Sequence, residues 1–583
     1  MKLALLTLAM AMAATAVAST NILELRIGSG ERDVARYREY GYNAVVLGDI
    51  TQLADYETVA PGVIAKNAAL KKRIEKHRGA FQTDYDRANT LGLAVCLMTD
   101  EIELPTAVLD HFRKAVADPG KPQRINFDSP QFWELYRAKY REVLKAFPKV
   151  AYVIVRTGEN YSHLDEGYTG HTVLDKTADE AYYRNMQRLI AETRKVVVDE
   201  FGRTLIWRTW DLGNNGFHAN PAVYDRILEG VHERNGLVVS IKHTQTDFWD
   251  YNDFNPMIGR GGVRQVVEFQ CAREYEGKGA FPNYVGPAHA EAMRQARDLG
   301  AGGVWIWDFG GGWGGPFLKS DRWVRLNIYA TTQLAKNPEA SPRLVARQWA
   351  EEEFGSNAAP KIADMLMLSP ECVRKFMYIG AYAENHKGWM PSRNLMRDDI
   401  IRGERVLREN GGLKILYDGS RQSLDQALAE KSEAVELAAQ MRAIFESART
   451  DIVKDRGQKV YDESLGSLVY LESLAKVMSH YVRGMFLYYH WQETGNAATA
   501  AEAENELRAW RAAWVDYQTN IPKLPGVASL YRSQTDQDPS TTPGAMADTC
   551  EAALRSLVAR TAPAQTRKVA EQQVSPGTAT QSH

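Results

Sequence analysis

The chain has 583 residues, of which 44% are hydrophobic and 25% charged, and its formal net charge is −2. That balance leaves no basic field for nucleic acid or for an acidic membrane surface, while the length suits one large domain plus a second. The four cysteines, Cys96, Cys271, Cys372 and Cys550, lie far apart without Cys/His ligand spacing, so a zinc site is not expected; no other metal and no cofactor is expected either.

Residues 1–18 read as a signal peptide: one positive charge at Lys2, an apolar run from Leu3 to Val17, and the small-x-small site Ala16-Val17-Ala18. The run is too short for a committed membrane span. The expected location is therefore a periplasm or the outside of the cell, without membrane insertion.

From residue 20 to 355, short apolar runs alternate with amphipathic helical stretches. The runs cover residues 22–27, 44–47, 93–98, 151–155, 204–207, 237–241, 266–269 and 303–307. Each is nearly continuous in apolar residues rather than alternating, as parallel strands buried on both faces must be. Residues 132–146 and 181–200 are among the helical stretches between them. Eight such units predict a (β/α)8 TIM barrel. A doubly wound open sheet is the alternative, but the glycine-rich turn it would use for a dinucleotide is absent after the first strand. Cys96 and Cys271 fall in or beside apolar runs, where cysteine serves as a small hydrophobe.

Beyond the barrel the strand pattern stops. Residues 421–448 and 497–517 carry apolar residues at three- and four-residue spacing, so 356–560 is predicted to be a C-terminal α-helical domain. That domain is a candidate homodimer surface or a wall of the cleft. Residues 561–583, rich in Thr, Gln, Ala and Pro, are predicted to be disordered.

In a barrel of this kind the chemistry sits at the carboxyl ends of the strands. Those ends carry Asp49; Asp100 and Glu101; Arg156 and Glu159; Arg208, Trp210 and Asp211; Lys242, Asp247 and Trp249; Glu268, Gln270, Arg273 and Glu274; and Asp308, followed by a GGGWGG loop with Trp313. So many carboxylates around one mouth predict a polar cleft. Two opposed carboxyl groups are what glycoside hydrolysis needs: one donates a proton to the leaving oxygen, and the other activates water or attacks.

The segment from Val239 to Gly277, VSIKHTQTDFWDYNDFNPMIGRGGVRQVVEFQCAREYEG, resembles the core of glycoside hydrolase family 67, the α-glucuronidases. The features carrying the resemblance are Lys242 and Asp247 five residues apart, Asn255-Pro256, Glu268-Phe269-Gln270 and Glu274-Tyr275. Val153 to Glu159, Ile206-Trp207-Arg208 and Gly302 to Gly315 look like further parts of that family's barrel.

This resemblance implies Glu159 as general acid, and Asp247 with Glu274 as the pair that positions and deprotonates water. It implies an inverting cleavage of α-linked glucuronic or 4-O-methylglucuronic acid from plant-type oligo- or polysaccharide. Arg156, Arg208 and Lys242 would meet the sugar carboxylate. Trp210, Trp249 and Trp313 would stack on rings, with Asp211, Glu268 and Asp308 lining the site.

On this reading the chain departs from the family in three ways. The family's additional domain ahead of the barrel finds no counterpart, Arg156 stands one residue nearer Glu159 than the family's basic residue does, and Asp247 stands one residue nearer Glu274. These departures leave open another uronic or neutral sugar, or a barrel that binds carbohydrate without cleaving it. A lyase using Tyr161 and His163 is a further alternative. Each acid also has a structural reading: Glu159 as a cap or ion pair, Asp247 as a turn carboxylate, Glu274 as a partner of Arg273 or Arg264. Arg208 and Lys242 read equally well as holding carboxylates in place.

Overall fold

The computed structural model describes residues 23–29, 33–157, 167–171, 179–210, 216–308, 321–385, 412–526 and 545–561. The predicted leader lies outside them, as does the predicted tail except for Thr561, which ends the last helix.

Eight parallel strands close into a barrel in chain order: β1 (Leu25–Ser29), β2 (Ala44–Asp49), β3 (Ala94–Asp100), β4 (Val150–Arg156), β5 (Thr204–Arg208), β6 (Leu237–Lys242), β7 (Arg264–Gln270) and β8 (Gly303–Trp307). β8 closes the ring on β1, with Leu25 opposite Gly303. A Cβ on Gly303 would lie 2.4 Å from the Leu25 carbonyl oxygen, so the seam requires glycine there.

Strand parity divides the buried residues into two cores. Ile27, Cys96, Ile154, Ile206, Val266 and Trp305 form one cluster, which fills the barrel interior. Their strand neighbours Val95, Val153, Leu205, Val267 and Ile306 belong to the larger core under the surrounding helices. That two-sided burial is why the strands read as continuous apolar runs.

Local sequence starts the helices that seat these strands. Pro130–Ala146 begins with Pro130 in its first turn, and the Ser129 hydroxyl accepts from the Phe132 amide at 3.2 Å. Glu180–Arg194 is capped by Asp179, then widens into a π-helical turn, Lys195–Glu200, where sequence predicts one continuous helix. A short antiparallel pair joins Ile102–Pro105 to Tyr168–His171.

The region after the barrel is helical, and includes Ala359–Met377, Leu424–Glu446, Gln458–Thr494, Ala497–Asn520 and Ala545–Thr561. Pro370 stands inside the first of these and cannot donate to Leu366 four residues back. The Ser369 hydroxyl donates to that carbonyl instead at 2.7 Å, and accepts from the barrel amide of Tyr284 at 3.0 Å. Trp323 Nε1 donates to Ser467 Oγ at 2.9 Å, and Arg322 donates to Ser464 Oγ at 3.0 Å, so the long helix also docks on the barrel side. The four cysteines are buried and unpaired.

Candidate active site at the barrel mouth

The interior parity that places Met98, Ile154, Ile206, Val238, Val266 and Trp305 inside the barrel continues to Asp100, Arg156, Arg208, Ser240, Glu268 and Trp307. Lys242 and Gln270 follow one step further on β6 and β7. A polar layer therefore caps the apolar interior. Charges there are tolerated only in pairs.

Glu268 is the centre of that layer and is fully buried. Arg208 Nε donates to both of its oxygens, at 3.0 and 2.9 Å; Ser240 Oγ donates to Oε1 at 2.9 Å and Trp307 Nε1 to Oε2 at 2.9 Å. The Arg208 guanidinium also lies 4.7 Å from the Trp307 ring centroid.

Lys242 Nζ sits 2.5 Å from Asp247 Oδ1, 3.2 Å from the Trp210 ring centroid and 4.5 Å from that of Phe248. The Phe248 amide also donates to Oδ1, at 3.0 Å, while Tyr275 donates its hydroxyl to Oδ2 at 2.6 Å. Burial would raise the Asp247 pKa, but the Lys242 charge and these hydrogen bonds outweigh it and hold the carboxyl below its ordinary 3.8. Asp247 is therefore an ionised anchor. Behind it, His218 accepts or donates at Thr209 Oγ1 at 3.0 Å, and burial followed by the charges of Lys242 and Arg208 pushes its pKa down to about 3. It stays neutral.

Glu274 is clasped by Gln270, whose Nε2 donates to Oε2 at 2.9 Å while its Oε1 accepts from the Glu274 amide at 2.5 Å. The adjoining Arg273, at φ +54°, reaches Asp250 Oδ1 at 3.1 Å and Glu276 Oε2 at 2.8 Å. Tyr378, from the helical region, donates its hydroxyl to Glu276 Oε1. Burial pushes the Glu276 pKa up to about 7 against the pull of Arg273.

On the β2–β4 side, Arg156 Nε meets Asp100 Oδ1 at 2.5 Å. The buried Lys139 Nζ donates to Thr99 Oγ1 at 3.1 Å, Thr51 Oγ1 at 3.2 Å and the Glu103 carbonyl at 3.4 Å. Burial and then Glu103 raise the Asp49 pKa to about 7, although Arg156 and Lys139 oppose them.

The structure thus brings Lys242, Asp247, Glu274, Arg208 and Glu268 to one mouth. Arg156, Arg208 and Lys242 each lie against an internal carboxylate. Trp210 and Trp249 are nearly fully buried, the latter edge-on to Tyr275 at 5.2 Å. Asp308 accepts from the Tyr37 hydroxyl at 2.6 Å. Glu159, Asp211 and Trp313, with Tyr161 and His163, lie outside the described residues. Among the described residues no cluster of His, Cys, Asp and Glu has metal-holding geometry. Sequence reasoning did not single out Asp250, Glu276 or Tyr378, since nothing local distinguishes them from surface acids and core aromatics.

The fold is a (β/α)8 barrel followed by a helical region, an architecture found among glycoside hydrolases. In particular, the chain is similar in structure to a family GH138 enzyme targeting pectin rhamnogalacturonan II: TM-score 0.62, 12% identity, covering 92% of this chain and 67% of that one. A family GH115 4-O-methyl-α-glucuronidase with specificity for decorated arabinogalactans aligns with TM-score 0.44 and 13% identity, over 90% of this chain and 62% of that one. No protein-family model and no curated protein matches the sequence. At 12% identity the likeness to the GH138 enzyme is one of fold, and it does not single out family 67.

Proposed function

We propose that the protein is an exported glycoside hydrolase that removes an α-linked uronic acid, glucuronic or 4-O-methylglucuronic, from plant-type oligo- or polysaccharide with inversion. The observation that carries this reading is Asp247, buried yet held ionised by Lys242 and Tyr275, with Glu274 on the same turn as Tyr275. In the proposed reaction Glu159 protonates the glycosidic oxygen. Glu274 takes a proton from water, while Asp247 orients that water and faces the positive charge that develops at the anomeric carbon. An inverting pair leaves about 6.5–9.5 Å between acid and base for the water. The barrel likeness to an enzyme targeting pectin rhamnogalacturonan II supports a plant polysaccharide as the substrate class.

A second reading is hydrolysis of another uronic or a neutral α-linked sugar. It is favoured by the engagement of Arg156, Arg208 and Lys242 with Asp100, Glu268 and Asp247, which answers their charge without a sugar carboxylate. The anomeric form of the sugar first released from aldouronic acids, compared with neutral α-glycosides, tests both.

A further inference from the structure

We propose that Tyr378 is a positioning residue for the candidate base, anchoring through Glu276 the turn that presents Glu274 and Tyr275 to the barrel mouth. The inference rests on reading Glu274 and Asp247 as the pair that handles water.

The turn after β7 is unusual in its backbone. Arg273 has φ +54°, Gly277 +90° and Lys278 +50°. Left-handed conformations at non-glycine residues persist only where the surroundings hold them. Here the hold is a cluster built on the buried Glu276 and Arg273. Glu276 Oε1 accepts from the Tyr378 hydroxyl and from the Asp250 amide at 3.1 Å, and Arg273 bridges Glu276 to Asp250. Asp250 stands three residues after Asp247. The same cluster therefore fixes both carboxylate-bearing loops, while Tyr275, between Glu274 and Glu276, donates its hydroxyl to Asp247.

Tyr378 is itself immobilised from the helical region. It follows the helix Ala359–Met377 and packs edge-on to Tyr251 with ring centroids 5.5 Å apart. Its carbonyl accepts from Lys431 Nζ, which also meets Glu430 Oε1 at 2.5 Å. The helices after the barrel thereby reach the candidate site through a phenol hydroxyl.

Tyr378→Phe keeps the ring and removes that hydroxyl. Hydrogen exchange on the full-length protein reads the turn directly, because the Glu276 and Lys278 amides both donate to the Arg273 carbonyl, at 3.0 and 2.9 Å. We expect exchange of these two amides to rise about tenfold with the barrel strands unchanged. On an activated aryl α-uronide, kcat should fall about ten- to a hundredfold with KM within about threefold. Azide, a nucleophile that needs no deprotonation, should restore part of the loss. Glu276→Gln should shift both readouts in the same direction. Unchanged exchange in a folded Tyr378→Phe protein, or exchange raised across the whole barrel, overturns the anchor. Raised exchange confined to the turn, in a protein that cleaves no uronide, upholds the anchor and removes the proposed reaction instead.

Discussion

Tyr275 donates its hydroxyl hydrogen to Asp247 Oδ2 at 2.6 Å, on the side of the carboxylate opposite Lys242. The contact ties the turn after β7 to the loop after β6, so the two acids assigned to water share one hydrogen-bonded frame.

Removing only that hydroxyl, as Tyr275→Phe, should cost about 1.5–3 kcal/mol of stability, the range for a buried hydrogen bond to a charge. Turnover should drop about tenfold or more with little change in KM. Urea unfolding and steady-state kinetics on the same preparation check the pair of outcomes.

Glu268 and Arg208 should behave as one unit. Glu268→Ala leaves a buried guanidinium without its carboxylate and is expected to destabilise the fold by about 3–5 kcal/mol. Replacing both residues with Met should be milder than the sum of the single changes, because neither charge is then left alone. A double-mutant cycle in urea measures the difference.

Acid strength gives a pH signature. Glu276 has an ordinary pKa of 4.5 and is raised by burial to about 7 in the folded protein. The folded state thus binds its proton more tightly than the unfolded chain does. The resulting stability is fully present below about 4.5 and is lost as pH rises through about 7. Glu276→Gln should flatten that part of the melting temperature profile, and Asp49, also raised to about 7, should leave a residual slope. Scanning calorimetry between those limits reads both.

Glu159 carries the proposed proton donation. Glu159→Gln should nearly abolish turnover of natural oligosaccharides while sparing activated aryl glycosides, whose leaving groups need little protonation. Equal losses on both substrates would assign the residue another role.

The barrel was legible because buried parallel strands have no polar face to interrupt them. The same rule makes most runs end too early: β4, β5 and β6 extend one residue further, to Arg156, Arg208 and Lys242, and β7 to Gln270. Those last ladder positions point into the mouth and are polar for that reason. Lys242 and Asp247 were readable five residues apart through the family resemblance, though not as each other's ion-pair partner. Glu268 with Arg208, 60 residues apart, and Glu276 with Tyr378, 102 apart, were not, since only barrel closure and helix docking bring them together. The strand pair Ile102–Pro105 with Tyr168–His171 escaped for the same reason, being short and paired across a long separation.

The most direct test of the proposed reaction is proton NMR of the purified protein acting on aldouronic acids from glucuronoxylan, recorded before mutarotation. Initial release of the β-anomer from the α-linked uronate is the predicted result, and it should vanish in Glu274→Ala. Initial release of the α-anomer, or release that survives Glu274→Ala, would contradict water activation by Glu274 beside Asp247.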